Sequence, residues 1–260
     1  MILAGKTVLI CGVGTGLGSE VARLALRDGA NLMLAARTES TLQQVAKDLD
    51  ASGERVAWQS TDITDADQCR ATAQAAESRF GGVDALVQVA ALDTVFGPFR
   101  DASPEDLRKV FDVNVVGTAQ IVQAVAPHMK QRGGGSVVLV GSQSSFLPAD
   151  FPQAAYGSSK GALITAMRYM AKDLGPDRIR VNTVVPTWMW GPPVEMFVKM
   201  TAKQRDVPRE QVVEEITSRM AIPEIPADED VAEAIVFFCS DRARMITGQS
   251  LLVNCGEFMP

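Results

Sequence analysis

The 260-residue sequence predicts an α/β fold: a doubly wound, mostly parallel seven-stranded sheet with helices on both faces, in a single domain spanning 1–260. Three observations lead to it. Short apolar runs alternate with helical patterns along the chain. A glycine-rich turn follows the first run at once. The most distinctive turns all fall just past the ends of runs. Parallel strands need long crossovers, and the helical stretches supply them.

The runs of strand character cover 6–11, 31–36, 55–60, 84–90, 136–141, 178–184 and 249–253, with helical patterns near 16–28, 40–50, 66–79, 104–131, 154–174 and 228–239. The first run, Lys6 to Cys11, opens directly into Gly12-Val13-Gly14-Thr15-Gly16-Leu17-Gly18. A helix follows, with Leu17, Val21, Leu24 and Ala25 on one side. Strand, glycine turn and helix together bring backbone N–H groups and a helix N-terminus up to a pyrophosphate. The second run ends at Ala36-Arg37-Thr38, the third at Ser60-Thr61-Asp62-Ile63 and the fourth at Gln88-Val89-Ala90-Ala91. The fifth leads into Gly141-Ser142, and the sixth ends at Val184-Val185-Pro186 before a Trp- and Met-rich segment. Ligands of such sheets collect at the carboxyl ends of the strands, so these turns are expected to share one cleft.

Within the helix starting near 154, Tyr156 and Lys160 stand four residues apart and therefore on one face. At about 4 Å and an effective dielectric near 20, a lysine charge favours a phenolate by ~4 kcal/mol. That is ~3 pKa units, enough to bring a tyrosine from ~10 towards ~7 and make it a usable acid or base.

Taken together these residues resemble the short-chain dehydrogenase/reductase family over nearly the whole chain. The family's Thr-Gly-x-x-x-Gly-x-Gly turn appears as Cys11 to Gly18, with Cys11 in place of threonine, and its Tyr-x-x-x-Lys appears as Tyr156 and Lys160. Its active-site serine matches Ser142 and its active-site asparagine matches Asn114 in Phe111-Asp112-Val113-Asn114-Val115-Val116-Gly117. Its adenine-facing acid matches Asp62, Arg180 to Pro186 matches the strand before the substrate loop, and Ile246 to Gln249 matches the entry to the last strand. Departures are Gln88-Val89-Ala90-Ala91 for Asn-Asn-Ala-Gly, Pro186-Thr187 for Pro-Gly, Gly191 for a threonine that meets the carboxamide, and Asn254-Cys255-Gly256 for Asp-Gly-Gly. The interval from Ser142 to Tyr156 is fourteen positions, within one of the usual interval.

The resemblance implies reversible hydride transfer between a nicotinamide and a carbonyl or secondary alcohol. Tyr156 is the expected acid or base. Lys160 tunes it and holds the nicotinamide ribose, Ser142 hydrogen-bonds the reacting oxygen, and Asn114 anchors a water leading from Lys160 to solvent. The expected cofactor-binding residues are Gly12, Gly14, Thr15, Gly16, Leu17, Gly18, Arg37, Asp62, Ile63, Ala90, Ala91, Tyr156, Lys160, Pro186, Thr187 and Met189. Ala36 stands where an acid would bind the adenosine ribose, and Arg37 follows it. An arginine takes a 2′-phosphate with a forked contact, so NADP(H) is the expected cofactor, with NAD(H) the alternative if Arg37 is merely solvated.

A substrate lid is expected near 187–220. Its segment Trp188 to Met200 carries two Trp, three Met and a Phe, an adaptable apolar surface. Ser142, Ser144, Phe146, Trp188, Trp190 and Met196 are the expected substrate contacts, with Phe96 and Phe99 completing the pocket. A bulky hydrophobic substrate such as a steroid or terpenoid is expected. An acyl-thioester ketoreductase is the rival within enzymes, and a non-catalytic dinucleotide sensor the rival outside them. The joint presence of Asn114, Ser142, Tyr156 and Lys160 favours an enzyme.

A formal charge of −6, with no block of Lys or Arg, argues against a nucleic-acid partner. No apolar run approaches membrane-spanning length, and the N-terminus carries no signal pattern. Cys11, Cys69, Cys239 and Cys255 have no metal or redox spacing and read as thiols of a cytoplasmic protein. No metal is expected, and His128, the single histidine, is expected at a helix end rather than in catalysis. The resemblance implies a homo-oligomer, a tetramer or dimer.

Overall fold

The structure, a computed structural model, describes residues 1–149 and 151–260. Seven strands form one sheet: β1 (Thr7–Cys11), β2 (Asn31–Ala36), β3 (Val56–Ser60), β4 (Ala85–Gln88), β5 (Gly135–Val140), β6 (Ile179–Pro186) and β7 (Ser250–Val253). Their order is β3-β2-β1-β4-β5-β6-β7, and every pairing is parallel. The order reverses at β1, whose neighbours β2 and β4 leave on opposite sides. That switch opens a crevice beyond the carboxyl ends of β1 and β4. β4 is shorter than the run 84–90, because Val89 and Ala90 both turn their N–H groups to the Cys11 carbonyl, at 2.8 and 3.0 Å.

The helices are α1 (Leu17–Arg27), α2 (Glu39–Leu49), α3 (Ala66–Phe80), α4 (Pro104–Phe111), α5 (Thr118–Gln131), α6 (Ala154–Leu174), α7 (Pro192–Arg205), α8 (Arg209–Thr217) and α9 (Asp228–Cys239). Residues of each strand alternate between two cores, as the period of two requires. Val8, Ile10, Leu32, Leu34 and Val138 pack with α1, α2 and α9. Leu9, Met33, Leu86, Val137 and Leu139 pack with α3, α5 and α6 on the opposite face. Helices α7 and α8 carry a third, separate cluster built on Val198, Ala202, Val212, Ile216 and Met220.

The expected continuous helix 104–131 is instead α4, a π-helical segment Asp112–Gly117, and α5. The cause is local. The Thr118 hydroxyl donates to the Asn114 carbonyl at 2.9 Å, and Gly117 lies so close to Ile63 that a Cβ there would sit 2.9 Å from its side chain. A wider turn accommodates both, and such turns gather at functional sites.

Candidate active site

The glycine turn is shaped by two close approaches. Gly12 has φ +94°, and a Cβ there would lie 2.3 Å from the Ala90 nitrogen. A Cβ on Gly18 would lie 2.3 Å from the Gly12 carbonyl oxygen. These two glycines are demanded by the protein's own packing. At Gly14 a Cβ would meet nothing within 4 Å, and at Gly16 it would meet only the Asp228 carboxylate at 3.6 Å. Space beside Gly14, in a turn that points N–H groups at a helix start, fits a bound pyrophosphate.

Beyond the turn a cleft of about 810 Å³ runs along the ends of β1, β2, β3 and β4. Gly12, Gly14, Arg37, Asp62, Ile63, Ala90 and Ala91, all expected cofactor residues, are among those that line it. Asp62 is held by the Thr64 N–H and hydroxyl, at 2.9 and 2.7 Å. Arg108 and Lys109 of α4 also line the cleft, as do Asp93, Glu105 and Asp112; the helical pattern around 104–131 gave no hint that α4 reaches it.

Thr15, Gly16, Leu17, Gly18, Pro186, Thr187 and Met189 lie outside this cleft's wall. Leu17 is 6% exposed and belongs to the core, and Met189 packs on that same core, so their side chains face inward rather than towards a ligand. Thr187 sits at the exit of β6. A Cβ on Gly191 would lie 3.2 Å from the Asp228 carboxylate, a tight contact with a side chain that can shift.

Asn114 projects from the π-helical segment, and its side chain makes three hydrogen bonds. Its Oδ1 accepts from the Leu92 N–H at 2.7 Å, while its Nδ2 donates to the Leu92 carbonyl at 3.1 Å and to Ser159 Oγ at 2.9 Å. Ser159 Oγ in turn donates to the Tyr156 carbonyl at 2.7 Å. Gln88, the departure from the family's asparagine, donates to Thr118 Oγ1 at 3.1 Å and to the Ala90 carbonyl at 3.2 Å. One polar web thus ties β4, the π-helical segment and the first turn of α6. Ser159 and Thr118 lie in that web although no motif marks them.

Tyr156 and Lys160 open α6, with the ammonium nitrogen 5.6 Å from the phenol ring centroid. Lys160 is 2% exposed and donates to the Val140 carbonyl at 2.7 Å. Burial pulls its pKa down to about 8, against a smaller opposing pull from Asp93. Burial also pushes the Tyr156 phenol up to about 12, with Ser142 opposing and Asp93 adding to the rise. The expected lowering of the phenol by Lys160 therefore does not appear in the protein alone. Desolvation is the dominant cause of the rise. Ser142 Oγ accepts from the Ser144 N–H at 3.2 Å and donates to Ser144 Oγ at 3.1 Å, so the two serines share the end of β5.

Beyond β6, Phe151, Trp188 and Phe197 form an aromatic group, with centroids 5.7 Å apart for Phe151–Trp188 and 5.2 Å for Trp188–Phe197. It ties α7 to the exit of β6 and to the loop before α6. Phe146 stacks on Phe258 at 5.7 Å. Met196, Phe96 and Phe99 are largely exposed. Trp190, expected as a substrate contact, lines a second hollow of about 430 Å³ with Arg209, Val213 and Thr217 of α8. Its backbone N–H donates to the Pro226 carbonyl at 2.8 Å. Among the described residues no cluster could hold a metal ion, and no helix is long and apolar enough to cross a membrane.

A doubly wound parallel sheet, a glycine-walled crevice at its switch point and a buried tyrosine–lysine pair nearby define a dinucleotide-dependent oxidoreductase. The family model described as Enoyl-(Acyl carrier protein) reductase matches residues 12–257. Dehydrogenase/reductase SDR family member 4 of Homo sapiens is 32% identical over 98% of this chain and 88% of its own length. Oxidoreductase UcpA of Salmonella typhimurium is 30% identical over 99% of this chain and 96% of its own. A short-chain dehydrogenase/reductase structure from Mycobacterium ulcerans superposes with a TM-score of 0.89 at 27% identity, covering 99% of this chain and 91% of that one. The chain belongs to the short-chain dehydrogenase/reductase family and is an NAD(P)-dependent oxidoreductase.

Proposed function

We propose that this oxidoreductase interconverts a carbonyl and a secondary alcohol on a bulky hydrophobic substrate such as a steroid or terpenoid, with NADP(H) as preferred cofactor. The observation that carries the reaction is the buried Tyr156–Lys160 pair beside Ser142 at the end of β5. Bound nicotinamide supplies or takes the hydride. Tyr156, neutral at pH 7 with its pKa near 12, donates its proton to the reacting oxygen in reduction and takes one back in oxidation. Ser142 steadies the charge that develops there. Lys160, at about 8, still holds most of its proton at pH 7 and is the group that would hold a ribose hydroxyl. Both Asn114 Nδ2 donors are engaged and its backbone carbonyl accepts from the Thr118 hydroxyl, so a share of Asn114 in a proton path runs through a remaining acceptor lone pair.

Arg37 supports the NADP(H) preference. It lines the cleft at the end of β2, and among the described residues no carboxylate pairs with it. The Phe151–Trp188–Phe197 group, together with exposed Phe96, Phe99, Met196 and Met200, supports a hydrophobic substrate under a lid near 187–220. The description of the matching family model favours the acyl-thioester reading second.

Turnover followed by nicotinamide absorbance, with both cofactors and with steroid, terpenoid, acyl-thioester and small polar substrates, tests the reading. Tyr156→Phe is expected to lower kcat at least ~10³-fold while cofactor Kd stays within about twofold. Retained turnover in that variant would sink the assignment of Tyr156. Arg37→Asp is expected to reverse the NADP(H) over NAD(H) ratio of kcat/KM by ~10-fold or more, through loss of a charge-assisted contact and gain of a repulsion. An unchanged ratio refutes the role of Arg37.

A further inference from the structure

Asp93 is a charge on the cleft wall that the mechanism above leaves unused. It follows Ala90 and Ala91 along that wall, and the residue is exposed. Among the described residues no side chain donates to its carboxylate and no cation pairs with it. Its backbone, by contrast, is held on both sides. The Leu92 N–H donates to Asn114 Oδ1, and the Leu92 carbonyl accepts from Asn114 Nδ2. The Asp93 carbonyl accepts from Gln153 Nε2 at 3.2 Å. Farther along, the Gly97 N–H donates to the Pro152 carbonyl at 2.9 Å, and the Gly97 carbonyl accepts from the Ala154 N–H at 3.3 Å. The loop is thereby stitched to the chain that enters α6 just before Tyr156.

That charge reaches the reacting groups. Burial dominates at Tyr156 and at Lys160, and Asp93 adds an upward push at each. The stitching and this reach together put Asp93 on the Tyr156 side of the cleft. Elsewhere on the wall, Asp62, Glu105 and Asp112 are matched by Arg37, Arg108 and Lys109, so Asp93 is the charge left over. An ionised carboxylate only accepts. A hydroxyl or an ammonium arriving with a substrate offers it the partner that the protein does not, while a carboxylate or phosphate meets a like charge. We propose that Asp93 is a specificity-determining residue: it receives a hydroxyl or ammonium group of the substrate and turns anionic substrates away. The substrate is then a hydrophobic ketone or alcohol carrying one such donor, and polyanionic carriers of acyl thioesters are disfavoured. The proposal rests on the Tyr156 reading above.

The probes are acetonaphthones of one shape that carry a hydroxymethyl, an aminomethyl or a carboxyl group, each reduced at neutral pH with the preferred cofactor. The wild type is expected to show a kcat/KM for the first two that exceeds the third by ~10-fold or more. Asp93→Asn is expected to raise the carboxyl ketone about 5-fold and to lower the aminomethyl ketone about 5-fold. Asp93→Glu keeps the charge and is expected to keep the order. Raised salt should narrow the wild-type preference and leave that of Asp93→Asn alone. In the reverse oxidation of the hydroxymethyl alcohol, the limb set by the Tyr156 phenol should move to lower pH in Asp93→Asn, because the lost charge opposed the phenolate. Lys160 and Ser142, the other groups facing that phenol, are untouched by the change. Equal effects on all three ketones, an unmoved limb, or cofactor binding weakened as much as aminomethyl turnover would each overturn the role. A wild type that reduces the three alike, or none of them, overturns it too. Turnover retained in Tyr156→Phe overturns the Tyr156 reading and this proposal with it.

Discussion

Lys160 illustrates how much a residue's position costs it. Its burial lowers the ammonium pKa from 10.5 to about 8, while in the unfolded chain the group titrates near ~10.4. Below pH 8 both states hold the proton, and the folded state bears the cost of a buried charge. Between pH 8 and about 10.4 the unfolded state binds more protons, so stability rises with pH. The difference in unfolding free energy between wild type and Lys160→Met is expected to grow by up to ~1.4 kcal/mol per pH unit across that window. Urea midpoints at several pH values measure it; a flat difference would show that Lys160 titrates normally. The spacing of Tyr156 and Lys160 was readable from the sequence. The sign of the phenol's shift was not, because it depends on how deeply α6 is sunk, and depth is a property of the whole packing. Gln143 and Glu257, 114 positions apart, show the same limit: no local pattern links them.

At the scale of elements, the glycine turn divides into two pairs with different duties. Gly18→Ala would press a methyl carbon against the Gly12 carbonyl, where the separation of 2.3 Å is far inside contact. It is expected to destabilise the protein by ~2 kcal/mol or more. Gly14→Ala meets open space and is expected to leave the thermal midpoint nearly unchanged while weakening dinucleotide binding ~10-fold or more. Thermal melts beside cofactor titrations distinguish the two, and equal melting losses would refute the division. The strand and helix periodicities that predict β1, α1 and the rest are local and survive into the fold. The π-helical segment does not announce itself, since its cause is Thr118 and Ile63 meeting a chain that reads as one uninterrupted helix. The reach of α4 into the cleft is hidden for a related reason. Charged Arg108 and Lys109 look like a solvated face until α4 is set beside the ends of the strands.

For the molecule as a whole, the two large cores lie on the sheet's two faces, while α7 and α8 are held by their own small cluster. Regions with few shared apolar contacts open at lower cost. Amides of α7 and α8 are expected to exchange with deuterated solvent at least ~10-fold faster than those of β1, β4 and β5. Equal protection would mean that these two helices are as rigid as the sheet. The aromatic ties of Trp188 and Phe197 are too few to change that ordering.

The seating of Gly12 against Ala90 has a consequence for the order of events as the chain is made. The whole glycine motif has been synthesised by residue 18, yet its shape depends on β4 entering beside β1, through pairs such as Leu9 with Leu86. Asp84 secures the same union, accepting from the Thr7 N–H at 2.7 Å. A nascent chain that stops before residue 84 therefore carries the signature of a nucleotide site without its geometry. Contacts so distant along the chain form late. Ligand capture by a growing chain would accordingly mark the arrival of the middle of the sheet, and not the emergence of the motif by which the site is recognised.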